Sequence, residues 1–237
     1  MSEKQTRRVV CVDMDAFFAS VEQWYDATLR GKPVAVTNGK HGGCIITSSY
    51  EARAFGVRTG MRFAEARALC PELIQCASKP ERYTNISKRL MYTLEALVSP
   101  DIEVFSVDEA FLDVSFVCGV PKCSYALGQW IVGLVRETFG LPCSVGVSIN
   151  KTLAKYAAKC KKPRGVTVIA PEEISTVLHG LPVEHLCGIG PKISSYLARF
   201  GVHTCDQVAL LPVSVLSKRW GYLGQRLWLM CSGKDPD

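Results

Sequence analysis

The chain has 237 residues, 48% of them hydrophobic and 21% charged, enough apolar material for a sizeable core and for more than one domain. No apolar run approaches the length that spans a bilayer, and the opening Met-Ser-Glu-Lys-Gln-Thr-Arg-Arg carries no secretory segment, so no membrane partner and a cytoplasmic location are expected. A net charge of +6 suits an acidic partner, and the eleven cysteines, scattered without a Cys-x-x-Cys pair, speak for reduced structural thiols in apolar surroundings over a disulfide scaffold or zinc site.

Residues 8–15, Arg-Val-Val-Cys-Val-Asp-Met-Asp, read as an apolar strand ending in Asp13 and Asp15, with a helix pattern at 17–25. Gly31-Lys32-Pro33 marks a loop before a strand at 34–36. Residues 38–43, Asn-Gly-Lys-His-Gly-Gly, read as a flexible hairpin connection into a strand at 44–47. They are not expected to be a nucleotide P-loop, because neither a Gly-Lys-Ser/Thr ending nor a helix start follows. Short helices at 50–55 and 62–70 are separated by Gly56 and Gly60, and Pro71 closes the unit. A long amphipathic helix at 82–98, with Ile86, Leu90, Leu94 and Leu97 at helical spacing, leads into a hairpin at 102–114. A helix at 122–139 and a strand at 144–148 follow.

The order strand, helix, strand, strand, helix, strand predicts an α+β fold with a ferredoxin-like antiparallel sheet. In such a sheet Asp13 comes alongside Asp108 and Glu109, which sit on the turn of the second hairpin. Any one of these acids could simply cap or solvate a turn. Two apolar strands that each end in acids point instead to carboxylates that share divalent metals, since burying them requires a cation and hard cations take oxygen ligands. Lys151, Lys155, Lys159, Lys161, Lys162 and Arg164 form a basic segment that could meet phosphates, or be a solvated helix face. Beyond about residue 171 the texture changes to short helices. There Leu186-Cys187-Gly188-Ile189-Gly190-Pro191-Lys192, followed by a helix at 193–200, reads as a helix-hairpin-helix whose glycines and helix N-terminus suit a phosphate.

Four of these stretches carry a family resemblance. Asp-Met-Asp-Ala-Phe-Phe-Ala-Ser-Val-Glu, Thr-Ser-Ser-Tyr-Glu-Ala-Arg, Ser-Val-Asp-Glu-Ala-Phe-Leu-Asp and Ser-Val-Gly-Val-Ser-Ile-Asn-Lys-Thr-Leu-Ala-Lys resemble, in order, the motifs of Y-family translesion DNA polymerases of the bacterial DNA polymerase IV type. The similarity runs from about residue 9 to 237. It implies a palm at 1–16 and 80–170, a small α/β fingers insertion at 17–79, an all-α thumb at 171–231, and at 232–237 the start of a linker to a little finger that this sequence lacks. The implied reaction is template-directed addition of deoxynucleotides to a primer 3′ end, with two Mg²⁺ ions that Mn²⁺ can replace. Primer-template DNA and a deoxynucleoside triphosphate are the implied substrates, a sliding clamp the partner, and a monomer the working form.

Carried over by motif, Asp13 and Asp108 would bridge the metals, Glu109 would hold the primer-side ion, and the Met14 main-chain carbonyl would be a further ligand. Phe17, Phe18, Thr47, Tyr50, Arg53 and Lys162 would bind the nucleotide, with Lys161 the neighbouring alternative to Lys162. Phe18 matches the steric gate that excludes a 2′-hydroxyl, although either adjacent ring could be core. Gly188, Ile189, Gly190 and Lys192 would grip duplex DNA, and Cys44, Gly60 and Met61 would contribute a small-residue roof. Asp15, expected on the opposite side of the chain, and Asp113 read as structural. A nucleotidyl cyclase would need neither the hairpin motif nor the basic segment. A catalytically dead, DNA-binding relative would lack the carboxylates.

Overall fold

The computed structural model describes residues 7–39 and 43–234. In chain order β1 (Val9–Met14) runs into α1 (Phe17–Tyr25). Then β2 (Val34–Thr37), β3 (Ile45–Ser48), α2 (Tyr50–Ala54), α3 (Phe63–Leu69) and β4 (Ile74–Ala77) form a small unit. The chain returns through α4 (Pro80–Leu97), β5 (Ile102–Val104), β6 (Glu109–Asp113), α5 (Ser124–Phe139), β7 (Cys143–Ser148), α6 (Lys151–Cys160) and β8 (Val166–Val168). It ends in α7 (Ile174–Leu178), α8 (Pro191–Ala198), α9 (Cys205–Ala209), α10 (Val213–Trp220) and α11 (Tyr222–Cys231).

β1 is apolar almost throughout because it is the middle of a sheet covered on both faces. The strand order is β5-β6-β1-β7-β8; the first four are mutually antiparallel in the expected ferredoxin-like order, and β8 adds a parallel fifth strand. One face of the sheet, carrying Val10, Val12 and Met14, packs on α4 and α5 through Leu90, Leu94, Leu127 and Ile131. α1 gives Phe17, Ala19 and Val21 to this same core. The other face presents Val9, Cys11 and Phe111 to Ala154 and Ala158 of α6.

α6 lies so close to β7 that a side chain at Gly146 would collide with the Ala154 carbonyl and the Ala158 nitrogen, both backbone atoms of the helix. Gly146→Ala should therefore destabilise the protein by about 3 kcal/mol, the upper end of ordinary overpacking. Urea unfolding checks this, and a loss well under 1 kcal/mol would show that α6 can lift off the sheet freely.

The small unit has its own sheet, β3-β2-β4, and its own core, built from Ala35, Ile45, Ala52, Phe63 and Leu73. β4, parallel to β2, and β8 are both absent from the sequence prediction. The hairpin connection expected at 38–43 lies partly outside the described residues, as do 1–6 of the expected palm and 235–237 of the expected linker. The last five helices enclose a third core of Leu178, Leu186, Leu197, Val208, Leu216 and Leu227. It is tied to the first by Leu153 of α6, which belongs to it, and by Asn150, whose amide donates to the Gly233 carbonyl at 3.0 Å.

All eleven cysteines are free, as expected, but only five are buried and four are exposed, so packing explains fewer of them than the sequence suggested. Among the described residues no helix is long and apolar enough to cross a membrane.

Candidate active site

Register brings the acids together. Asp13 on β1 sits directly opposite Glu109 at the start of β6, and the Met14 N–H donates to the Asp108 carbonyl at 2.9 Å. Asp108 is half-buried on the turn, where the Ser106 hydroxyl donates to its Oδ1 at 2.6 Å. Burial pushes the Asp13 carboxyl above the usual carboxylate range; Lys162 pulls it back, and the negative charges of Glu109 and Asp108 push it further up.

Two of these acids carry lysines. Lys162 Nζ lies 2.5 Å from Asp13 Oδ1, and Lys155 Nζ lies 2.6 Å from Glu109 Oε2. The Cys11 thiol, raised well above its ordinary pKa by burial and then by the charge of Glu109, donates to Glu109 Oε1 at 3.4 Å. Among the described residues no three His, Cys, Asp or Glu side chains close on one point as a preformed metal site would. The donor chemistry still fits a hard divalent cation, since Asp13, Asp108 and Glu109 offer only oxygen and the lysines occupy positions a metal cation would neutralise.

Asp15 is not on the opposite side of the chain. Positions two apart on an extended strand share a side, and Lys162 Nζ reaches Asp15 Oδ1 at 3.7 Å as well as Asp13. Asp15 is fully buried and accepts from the Ser144 hydroxyl at 2.9 Å and the Arg164 N–H at 2.7 Å, which binds β1, β7 and the segment before β8 together. Ala16 and Arg164, which flank this knot, are the two non-glycine residues with positive φ among those described. Asp113 pairs with Arg7 at 3.0 Å and accepts from Ser115, far down the hairpin.

Phosphate-binding candidates lie on the small unit. The Arg53 guanidinium stacks over the Tyr50 ring at 4.7 Å, as their spacing on α2 requires, and its Nε donates to the Ser48 carbonyl at 3.0 Å. The Tyr50 hydroxyl approaches Asp15 Oδ1 at 3.5 Å; burial and then that carboxylate push its pKa up to about 12. Thr47 lies half-buried on β3 just before α2. The ring of Phe17 is 3% exposed and lies in the core, leaving only its main chain for a ligand. Phe18 is partly exposed and stacks on Tyr83, centroids 4.2 Å apart and planes 16° from parallel.

In the last domain Gly188 takes φ 86°, Gly190 precedes α8, and Pro191 opens that helix. Gly188, Gly190 and Lys192 are exposed, whereas the Ile189 side chain is buried in the helical core. A single helical turn, Val183–His185, precedes this hairpin.

Known proteins resemble this chain over nearly its whole length. The impB/mucB/samB family profile matches residues 12–159, and that of the DNA polymerase-iota thumb domain matches residues 184–235. Among solved structures, a Y-family DNA polymerase chimera of Dbh and Dpo4 superposes with a TM-score of 0.88 at 32% identity, covering 97% of this chain and 68% of that one. The chain belongs to the Y family of DNA polymerases. Among its curated relatives, DNA polymerase IV of Moorella thermoacetica is 36% identical over 230 residues, and DNA polymerase IV 2 of Mesorhizobium japonicum is 39% identical over 238. These matches cover 96% and 98% of this chain but 57% and 55% of the relatives, so the chain spans little over half their length.

This Y-family chain also holds a polar hub that sequence reasoning missed. Glu22 on α1 is buried and is met by Lys79 and Arg82, each at 3.0 Å, and by the Tyr83 hydroxyl at 2.9 Å. The hub fixes the ring on which Phe18 rests. The partners of Glu22 lie about sixty residues away in sequence, beyond the reach of a local pattern.

Proposed function

We propose that this chain is the catalytic core of a DNA-directed DNA polymerase that adds deoxynucleotides to a primer 3′ end. The observation that supports it most is the pairing of Asp13 with Glu109 across the β1–β6 ladder, with Asp108 adjoining both. Asp13, Asp108, Glu109 and the Met14 carbonyl would hold two Mg²⁺ ions, which when bound lower the pKa of the attacking primer hydroxyl and neutralise the triphosphate. Lys162, released from Asp13, would turn to a phosphate oxygen. Arg53 can fork onto two phosphate oxygens while Tyr50 and Thr47 steady the chain end beneath them. Phe18, braced by Tyr83, would exclude a 2′-hydroxyl.

We divide the chain into a palm at 1–16 and 80–170, fingers at 17–79 and a thumb at 171–231, with α1 packed on the palm core through Phe17, Ala19 and Val21. In the fingers, the Ile45 N–H donates to the Met61 carbonyl and the Gly60 N–H to the Ile45 carbonyl, while Cys44 bridges to Arg62. Cys44, Gly60 and Met61 thus share one edge, and a roof of such slender residues would tolerate a damaged template base. We therefore read the role as translesion synthesis in DNA damage tolerance, performed in the cytoplasm by a single chain. An enzyme that holds DNA through phosphates alone is easily lost from it, which makes a sliding clamp a fitting partner for the whole protein.

Single-nucleotide incorporation on a primed template with Mg²⁺ tests the reading. It separates a polymerase from a nucleotidyl cyclase, which ignores the template, and from a dead relative, which binds DNA without extending it. A companion measurement is the salt dependence of primer-template binding. Contacts to even three phosphates should cost at least about tenfold in affinity between roughly 50 and 200 mM salt. An affinity indifferent to salt would remove the phosphate grip assigned to Gly188, Gly190 and Lys192.

A further inference from the structure

Lys155 stands apart from the other lysines of the basic segment. It is 7% exposed, on the side of α6 that packs against the sheet, so it does not meet phosphates as the sequence suggested. Lys151, one turn earlier, is paired with Glu103 at 2.6 Å. The Lys155 ammonium lies 2.6 Å from Glu109 Oε2 and 3.7 Å from the centre of the Phe105 ring. Phe105 in turn meets Phe111 edge-on, and Cys11 occupies the other oxygen of Glu109. Groups from β1, the β5–β6 turn and α6 therefore clamp one carboxylate.

Phe105, Phe111 and Lys155 line a cavity of about 270 Å³ that is also lined by Cys187, Gly188 and Ile189 of the thumb. A buried ion pair is expensive, and well-packed apolar side chains of similar volume would stabilise the fold as well or better. Keeping the pair makes physical sense where the carboxylate has to be charged and aimed for a later task.

We propose that Lys155 is a positioning residue that holds the Glu109 carboxylate in place on the strand beside Asp13, and that it competes with a divalent cation for that carboxylate. This role rests on the polymerase reading of Glu109. An ammonium and a divalent ion brought onto the same oxygen repel each other, so each weakens the other's hold on Oε2. The Phe105 face offers the displaced cation an alternative partner and keeps it beside the reacting groups.

Mn²⁺ titrated into the full chain, followed by loss of the free-ion paramagnetic resonance signal, reads this competition without turnover. Lys155→Met should tighten Mn²⁺ binding roughly fivefold or more, because the ion then replaces a missing counter-charge. Lys155→Arg, which can fork onto both oxygens, should weaken it. In a Glu109→Gln background neither substitution should change it. Unchanged affinity in Lys155→Met, or a change that persists without the Glu109 carboxylate, overturns the proposal. Where circular dichroism shows that Lys155→Met does not fold, Lys155→Arg carries the comparison, and Mn²⁺ binding as tight as the parent's overturns it. Primer extension by the parent is run beside the titration. If the parent extends primers while Mn²⁺ affinity ignores Lys155, the positioning role falls and the polymerase reading stands. If the parent extends nothing, that reading falls, and the titration still decides whether Lys155 and the cation share Glu109.

Discussion

Asp108→Ala should reduce primer extension by at least about a thousandfold while leaving duplex DNA binding within about twofold of the parent. A carboxylate that helps hold the metals acts where charge develops in the transition state, a contribution of several kcal/mol, and each factor of ten corresponds to about 1.4 kcal/mol. The fold should tolerate the change. Asp108 is half-buried, its side chain accepts from the neighbouring Ser106, and its main-chain carbonyl stays anchored by the Met14 N–H. A stability loss of no more than about 1 kcal/mol is expected for trimming such a turn residue. Duplex binding should survive because it is mainly electrostatic contact with phosphates, made elsewhere on the chain. Rapid-quench incorporation kinetics and fluorescence anisotropy with labelled primer-template separate the two effects. Activity within a few-fold of the parent would mean that Asp108 holds no metal, and the site would have to be rebuilt around Asp13 and Glu109 alone.

The sequence is most informative where a local pattern and the final environment agree. β1 and α1 fall where the apolar run and its change of period place them, and Asp13 comes alongside Glu109 because β1 and β6 are neighbours in a ferredoxin-like sheet. Pro191 opens α8 for the reason that proline suits a first helical turn. The failures share a different cause. β4 and β8 are four and three residues long, too short for a period to emerge, and each exists because of a parallel neighbour supplied by a distant part of the chain. The sequence reads Lys155 as one of several lysines that meet phosphates or solvent, because its burial depends on how closely α6 approaches β7, which Gly146 and the alanines of α6 decide together. Asp15 was misjudged for a simpler reason. Strand parity places it with Asp13, and the left-handed backbone at Ala16 comes one residue too late to turn it away.

Phe18→Ala should relax discrimination against ribonucleotides by about a hundredfold or more. The two adjacent aromatics have divided their work: Phe17 is 3% exposed in the palm core, whereas Phe18 keeps an accessible edge while one face rests on Tyr83. That support is stiff. Tyr83 is held through its hydroxyl by the buried Glu22, which Lys79 and Arg82 neutralise, so the Phe18 ring has little room to retreat from an added hydroxyl. Overlap with such a ring costs several kcal/mol, and at about 1.4 kcal/mol per factor of ten a change of two orders of magnitude follows from removing it. Deoxynucleotide incorporation should fall less, because the ring belongs neither to the carboxylate set nor to the proposed phosphate-binding pair Tyr50 and Arg53. Phe17→Ala should instead act on the fold, costing about 3–5 kcal/mol as a core truncation with no selective effect on the sugar. Single-nucleotide kinetics with matched deoxy and ribo substrates decide between them. If Phe18→Ala kept the parent's preference while Phe17→Ala relaxed it, the first turn of α1 would have to rotate on substrate binding, and the aromatics would exchange roles.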